Sequence, residues 1–168
     1  MPRTYEPIQT TTLGTATGTV DLTSIPGTFT DLIIVVQGTT TVDNGDVQMY
    51  FNNDTTSGLY SKTQMEGDGT SALTGRTTGA NFIGMNSNLL NDDIIPSIIF
   101  LQFNNYANTT TFKTVLSREI MWGTAAKGTA LRAGLWRNTN AITSVSLKVN
   151  GSTWKSGSTF TLYGIKAA

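Results

Sequence analysis

A chain of 168 residues is long enough for one domain with a sizeable core, yet this one has no histidine and no cysteine, and its eleven acidic side chains balance eleven basic ones. Those absences exclude the commonest acid–base group near neutral pH, the thiolate nucleophile, the usual transition-metal constellations and disulfide stapling. Zero formal charge excludes a general electrostatic pull toward nucleic acid or anionic lipid, and a charged fraction of 13%, about half the ~25% of ordinary soluble proteins, favours association over repulsion.

About one residue in five is threonine, a β-branched side chain suited to a pleated, half-wet surface. Residues 1–13 hold Pro2 and Pro7 and little apolar content. They read as an extended N-terminal arm ahead of a folded domain over residues 14–168, since fixed φ angles reduce the entropy lost on docking. The opening residues lack an apolar leader. The longest strongly apolar stretch, Leu32–Val36, is too short to span a bilayer, so no membrane partner is expected.

Strand signals then recur between glycine, asparagine and aspartate clusters. In chain order they are Thr17–Leu22, Asp31–Gln37, Val47–Asn52, Tyr60–Glu66, Asn81–Met85, Ser97–Phe103, Phe112–Glu119, Ala130–Trp136, Thr143–Val149 and Thr159–Lys166. The Asn-Gly pair inside Asp43-Asn44-Gly45-Asp46 predicts a hairpin between the second and third of these. Asn150-Gly151 is a weaker turn signal before a longer loop with Trp154. Residues Gly67–Ala80, rich in Gly, Ser and Thr, read as a long loop. Thr124–Arg132 contains three alanines but also Gly128, and yields one short turn at most.

Alternation tells which strands are wet on one side. Thr143, Val145, Leu147 and Val149 face one way while Ser144, Ser146 and Lys148 face the other; Val47, Met49 and Phe51 oppose Gln48 and Tyr50 in the same manner. Leu32–Val36 and Ile98–Phe103 are apolar on both faces, so their second face must be covered by a loop, another layer or another subunit. The expected architecture is all-β: a two-sheet antiparallel β-sandwich. Residues 1–93 carry a net charge of 3 − 10 = −7, and residues 94–168 carry 8 − 1 = +7. Strands from the two halves interleaving in one sheet would cancel this locally; an acidic patch on one subunit meeting a basic patch on the next is the other reading.

Chemistry-bearing groups are few. Carboxylate pairs for glycoside hydrolysis could come from Asp92-Asp93, from Asp43 with Asp46, or from Glu66 with Asp68, but all adjoin Gly or Asn in apparent turns, where solvated acids are ordinary. Neither the Asp43–Asp46 nor the Glu66–Asp68 cluster has the spacing of a calcium loop. No phosphate-binding glycine loop is present. Arg132, Arg137, Lys148 and Lys155 with Trp136 and Trp154 could form a basic–aromatic surface, against which the zero net charge argues. Tyr60, Trp122, Trp136 and Trp154, if exposed, could stack on sugar rings; packing is the commoner fate of tryptophan. The residues thus assign no catalytic, cofactor-binding or metal site, no cofactor and no nucleic-acid partner.

The opening Tyr5-Glu6-Pro7-Ile8 with Thr11-Thr12-Leu13-Gly14, Ile25-Pro26 and Thr30-Asp31-Leu32 resembles small virion proteins of tailed bacteriophages. So do Tyr106–Thr114, Leu135-Trp136-Arg137 and the closing Gly157–Lys166. The resemblance covers nearly the whole chain without a catalytic motif. It implies a jelly-roll sandwich, a homotrimer, location in the virion, and a structural role as a capsid decoration (cement or knob) protein that binds the major capsid protein or another virion protein. The alternative it leaves is a tail-fibre or receptor-binding head recognising host glycan, for which the aromatic residues and the Gly67–Ala80 segment are the candidate surface. A carboxylate glycosidase using Asp92 or Asp93 is a third reading.

Overall fold

The computed structural model describes residues 4–42, 46–85, 96–121 and 128–166. Among these there are twelve strands and no helix: β1 (Tyr5–Thr12), β2 (Thr19–Leu22), β3 (Asp31–Gly38), β4 (Asp46–Phe51), β5 (Tyr60–Gly67), β6 (Ala72–Ala80), β7 (Ile83–Gly84), β8 (Ser97–Asn104), β9 (Lys113–Met121), β10 (Gly128–Trp136), β11 (Val145–Asn150) and β12 (Thr159–Ile165). All pairs are antiparallel. They form an eight-stranded sheet in the order β1-β12-β3-β8-β9-β10-β5-β6 and a four-stranded sheet in the order β2-β11-β4-β7.

The chain is an all-β sandwich, and its connectivity is that of a jelly roll. Setting aside the hairpins β5–β6 and β9–β10 leaves β1-β12-β3-β8 facing β2-β11-β4-β7. In that frame successive strands change sheet at every step but one, β4 to β7, which pair within the second sheet, and the first strand lies beside the last, as two wound Greek keys require. The two extra hairpins zip onto one another through β10 and β5 and widen the first sheet beyond β8.

The ten strands read from the sequence are all present, with shifted ends; Asn81–Met85 shrinks to the two residues Ile83–Gly84. Two further strands arise where a loop or arm is expected. The opening segment is extended but does not project: β1 pairs with β12 as an edge strand from Tyr5 to Thr12. Proline is tolerated there because an edge strand needs only one side of its hydrogen bonds, and the register slips between Pro7 and Gln9. Gly67–Ala80 is not a loop but β6, turned from β5 by Asp68, whose Oδ1 accepts the backbone N–H groups of Thr70 (2.8 Å) and Ser71 (2.6 Å). The expected hairpin across Asp43–Asp46 does not form, because β3 and β4 belong to different sheets; residues 43–45 themselves lie outside the described residues, as do 124–127 of the Thr124–Arg132 segment, whose remaining residues begin β10.

Inward-facing side chains of both sheets make one core that includes Leu32, Ile34 and Val36 of β3, Leu101 and Phe103 of β8, and Val145, Leu147 and Val149 of β11. At one end Phe51 of β4 meets Phe103, Tyr60 and Trp136, with ring centroids 5.7, 6.2 and 5.4 Å away. The opposite-sign halves of the chain do interleave. β12 lies between β1 and β3, β11 between β2 and β4, and β10 between β9 and β5. Lys166 reaches Glu6 at 2.9 Å and Arg132 reaches Glu66 at 2.8 Å across such joints.

Asp54 closes the aromatic end. Its carboxylate accepts the Trp136 indole N–H (3.0 Å) and the Thr56 backbone N–H (3.0 Å). Partial burial works against the charged form, but the hydrogen bonds from Thr56, Trp136 and Asn138 outweigh it and hold the carboxyl below its ordinary value of 3.8. A carboxylate whose folded value is depressed contributes stability that is complete above the ordinary value and is lost as pH falls through the folded one. Asp54→Asn should therefore shallow the acid limb of a stability–pH curve measured by urea unfolding. An unchanged limb would assign the acid sensitivity elsewhere.

Candidate functional site

In the extension made by β9, β10 and β5 the usual polarity is reversed. Alternation along β9 puts Lys113, Val115, Ser117 and Glu119 inward, leaving Leu116, Arg118 and Ile120 outward. On β10 the buried set is Ala130, Arg132, Gly134 and Trp136, and the outward set is Thr129, Leu131, Ala133 and Leu135.

The buried polar groups explain the reversal. Arg132, 3% exposed, donates to Glu119 from one guanidinium nitrogen and to Glu66 at 2.8 Å from another. Ser117 donates to Glu119 at 2.7 Å, and Gln64 lies 3.4 Å from the Arg132 Nε. Charges removed from water must be paired and hydrogen-bonded, and the register sets Glu119 opposite Ala130 and Arg132 opposite Ser117 and Gln64, close enough for that. Nearby, burial pushes Asp46 up and Lys62 down, Lys62 also being disfavoured as a cation by Arg132; the two residues line a hollow of about 160 Å³ with Phe82 and Thr77.

With the acids turned in, the outer face is greasy. Strand register lays three rows across it: Val35–Phe100–Arg118–Leu131–Met65–Thr74, Ile33–Gln102–Leu116–Ala133–Thr63–Arg76, and Gln37–Ile98–Ile120–Thr129–Gly67–Ala72. Met65 is 60% exposed, Ile120 50%, Leu131 43% and Leu116 41%. A groove of about 630 Å³ is lined by Met65, Leu73, Phe100, Arg118, Ile120 and Leu131. It is followed along the same face by a hollow of about 520 Å³ at Gln102, Leu116 and Leu135. From β8 to β6 the outward-facing charges are Arg118 and Arg76, both positive, and the Arg118 guanidinium stands 5.5 Å over the Phe100 ring. Contiguous apolar surface of this kind marks an interaction site. It supplies contact area and one or two cations.

The residues singled out from sequence are dispersed. Tyr60, Trp136 and Trp154 are 0%, 1% and 0% exposed, so none is a stacking platform for sugar. Burial of Tyr60 also pushes its phenol far up from the ordinary value of 10.0. Arg132 is committed to its carboxylates and does not join Arg137, Lys148 and Lys155 in a basic surface; Arg137 donates to Ser61 (3.2 Å) beside β5, while Lys148 stands on β11 of the other sheet. Glu66 and Asp68 are not a pair, one facing Arg132 and the other closing a turn. Asp43, Asp92, Asp93 and Trp122 lie outside the described residues. Among the described residues no three carboxylates converge.

In the sequence the doubly apolar run at Ile98–Phe103 flags β8, whereas Leu116, Ile120, Leu131 and Met65 carry no sign of which side they take, because the buried salt bridges fix it. Neither family models nor curated proteins match this sequence.

Proposed function

We propose that this chain is a non-catalytic building block of a bacteriophage virion, a decoration-type jelly roll that docks through the outer face of its eight-stranded sheet. One observation carries the reading: Met65, Leu116, Ile120 and Leu131 lie exposed together on three adjacent strands, over a groove containing Phe100 and Arg118. Burying such surface gains about 25 cal/mol per Å² before association costs are met. In a cement protein that gain would be spread over neighbouring copies and a shell subunit; the phrase-level likeness at both ends of the chain supports the virion setting and a trimer. With Tyr60, Trp136 and Trp154 buried, three of the four aromatic residues offered for glycan recognition do not reach the surface.

The test is the mass in solution. In dilute solution wild-type protein should scatter light as three chains. Ile120→Lys with Leu131→Lys should weaken association by about 100-fold or more and leave the circular dichroism of the fold unchanged. Wild-type protein running as one chain at every concentration would overturn the reading.

A further inference from the structure

The two sheets have four edges, and three of them are blunted. β7 has two residues and β2 four. β1 is interrupted by Pro7 and by the register slip beside it. Short strands, proline, bulges and charged side chains are the devices that keep a free edge from pairing with another chain. Over Ala72–Thr77 β6 has only a single charge, Arg76, and these six residues stay in unbroken register with β5, from Gly67↔Ala72 to Lys62↔Thr77. Among the described residues β5 is their sole strand partner, and the irregularity near Tyr60 falls beyond them. Five of the six are exposed, Leu73 to 57%.

We propose that β6 is a pairing edge for β6 of a second copy, antiparallel, about a two-fold axis perpendicular to the sheet. An isologous contact must be self-complementary, and this sequence allows it. Such an axis keeps the outer faces of both copies on one side, so paired residues must share a face. Centred on Gly75, the register sets Leu73 opposite Thr77 and Thr74 opposite Arg76. The single charge of the segment then faces a neutral threonine rather than its own copy, and Leu73 gains a cross-strand neighbour. Moving the centre to Arg76 would oppose the two arginines, whereas centring on Thr74 would leave Leu73 opposite glycine. The groove reaches β6 through Ala72, Leu73 and Thr74, so the pairing joins the apolar faces of both copies into one surface.

Backbone amides distinguish this contact from face-to-face docking, which covers side chains and leaves edge N–H groups exchanging. In the full-length protein, hydrogen–deuterium exchange across Ala72–Thr77 should slow about tenfold or more between dilute and concentrated solution. Thr74→Arg, which sets arginine opposite Arg76 at two places, should abolish that slowing and the matching step in sedimentation mass. Adding Arg76→Glu turns both clashes into ion pairs and should restore them. The Ile120→Lys/Leu131→Lys variant should keep the β6 protection, so failure of face docking and failure of edge pairing are read separately. Exchange independent of concentration, indifference to Thr74→Arg, or no rescue by Arg76→Glu would each overturn the proposal.

Discussion

Arg132→Met should cost about 3–5 kcal/mol of folding stability, because breaking a buried ion cluster from one side leaves an uncompensated charge. Glu119 is 2% exposed and would keep only the Ser117 hydroxyl as a side-chain donor, while Glu66 would lose its guanidinium partner. Against the ~5–15 kcal/mol that holds a domain together, that is about a fifth or more of the total. Urea unfolding followed by circular dichroism would measure it. The diagnostic variant is Arg132→Met with Glu119→Gln: removing the stranded charge should recover a good part of the loss, giving a coupling energy well away from zero. If the two substitutions simply add, the cluster does not act as a unit. The consequence reaches the outer face, because β9 and β10 expose Leu116, Ile120 and Leu131 only while Glu119 and Arg132 occupy the other side.

Trp154→Ala should be comparably severe, about 3–5 kcal/mol for deleting a fully buried aromatic side chain. The residue sits in the β11–β12 connection and stitches one end of the sandwich. Its backbone exchanges hydrogen bonds with Thr17 at 2.8 and 3.1 Å, and its indole N–H donates to the Leu147 carbonyl at 3.2 Å. The ring meets Phe160 edge-on at 5.0 Å. Gly38 leaves room for it; a Cβ there would come within 3.1 Å of the ring. In a chain of this size the loss corresponds to a fall of roughly 6–20 °C in thermal midpoint, read by differential scanning calorimetry. A variant that melted like the wild type would show that the indole is not a packing element, and would return Trp154 to the exposed aromatics that glycan recognition needs.

Particular strands show why some of the fold was legible and some was not. β11 could be read from Val145, Leu147 and Val149 because hydrophobic alternation there has one meaning: one face dry, one face wet. β9 alternates just as regularly, but as Val115-Leu116-Ser117-Arg118-Glu119-Ile120 it offers a mixed set on either side. Its sidedness is decided by Arg132 and Glu66, residues brought alongside by β10 and β5. β1 and β6 were missed for a different reason. Proline in β1 and glycine in β6 weaken the local strand signal of the threonines beside them, and both segments become strands by hydrogen-bonding to β12 and β5 at the margins of a sheet that already exists. The Asn44-Gly45 signal predicted a hairpin because turn chemistry is local, whereas a jelly roll sends β3 and β4 to different sheets.

The sequence by itself determined the class of structure, ten of the twelve strands and the chemistry closed to a chain without histidine or cysteine. Those follow from side-chain period and side-chain type, which need no distant partner. Only the tertiary structure decided which faces are buried, that the two oppositely charged halves interleave, that Trp136 and Trp154 are core, and that β6 ends the sheet among the described residues. Each of these depends on what lies opposite a strand, and in this fold the neighbour opposite is usually a segment far away along the chain.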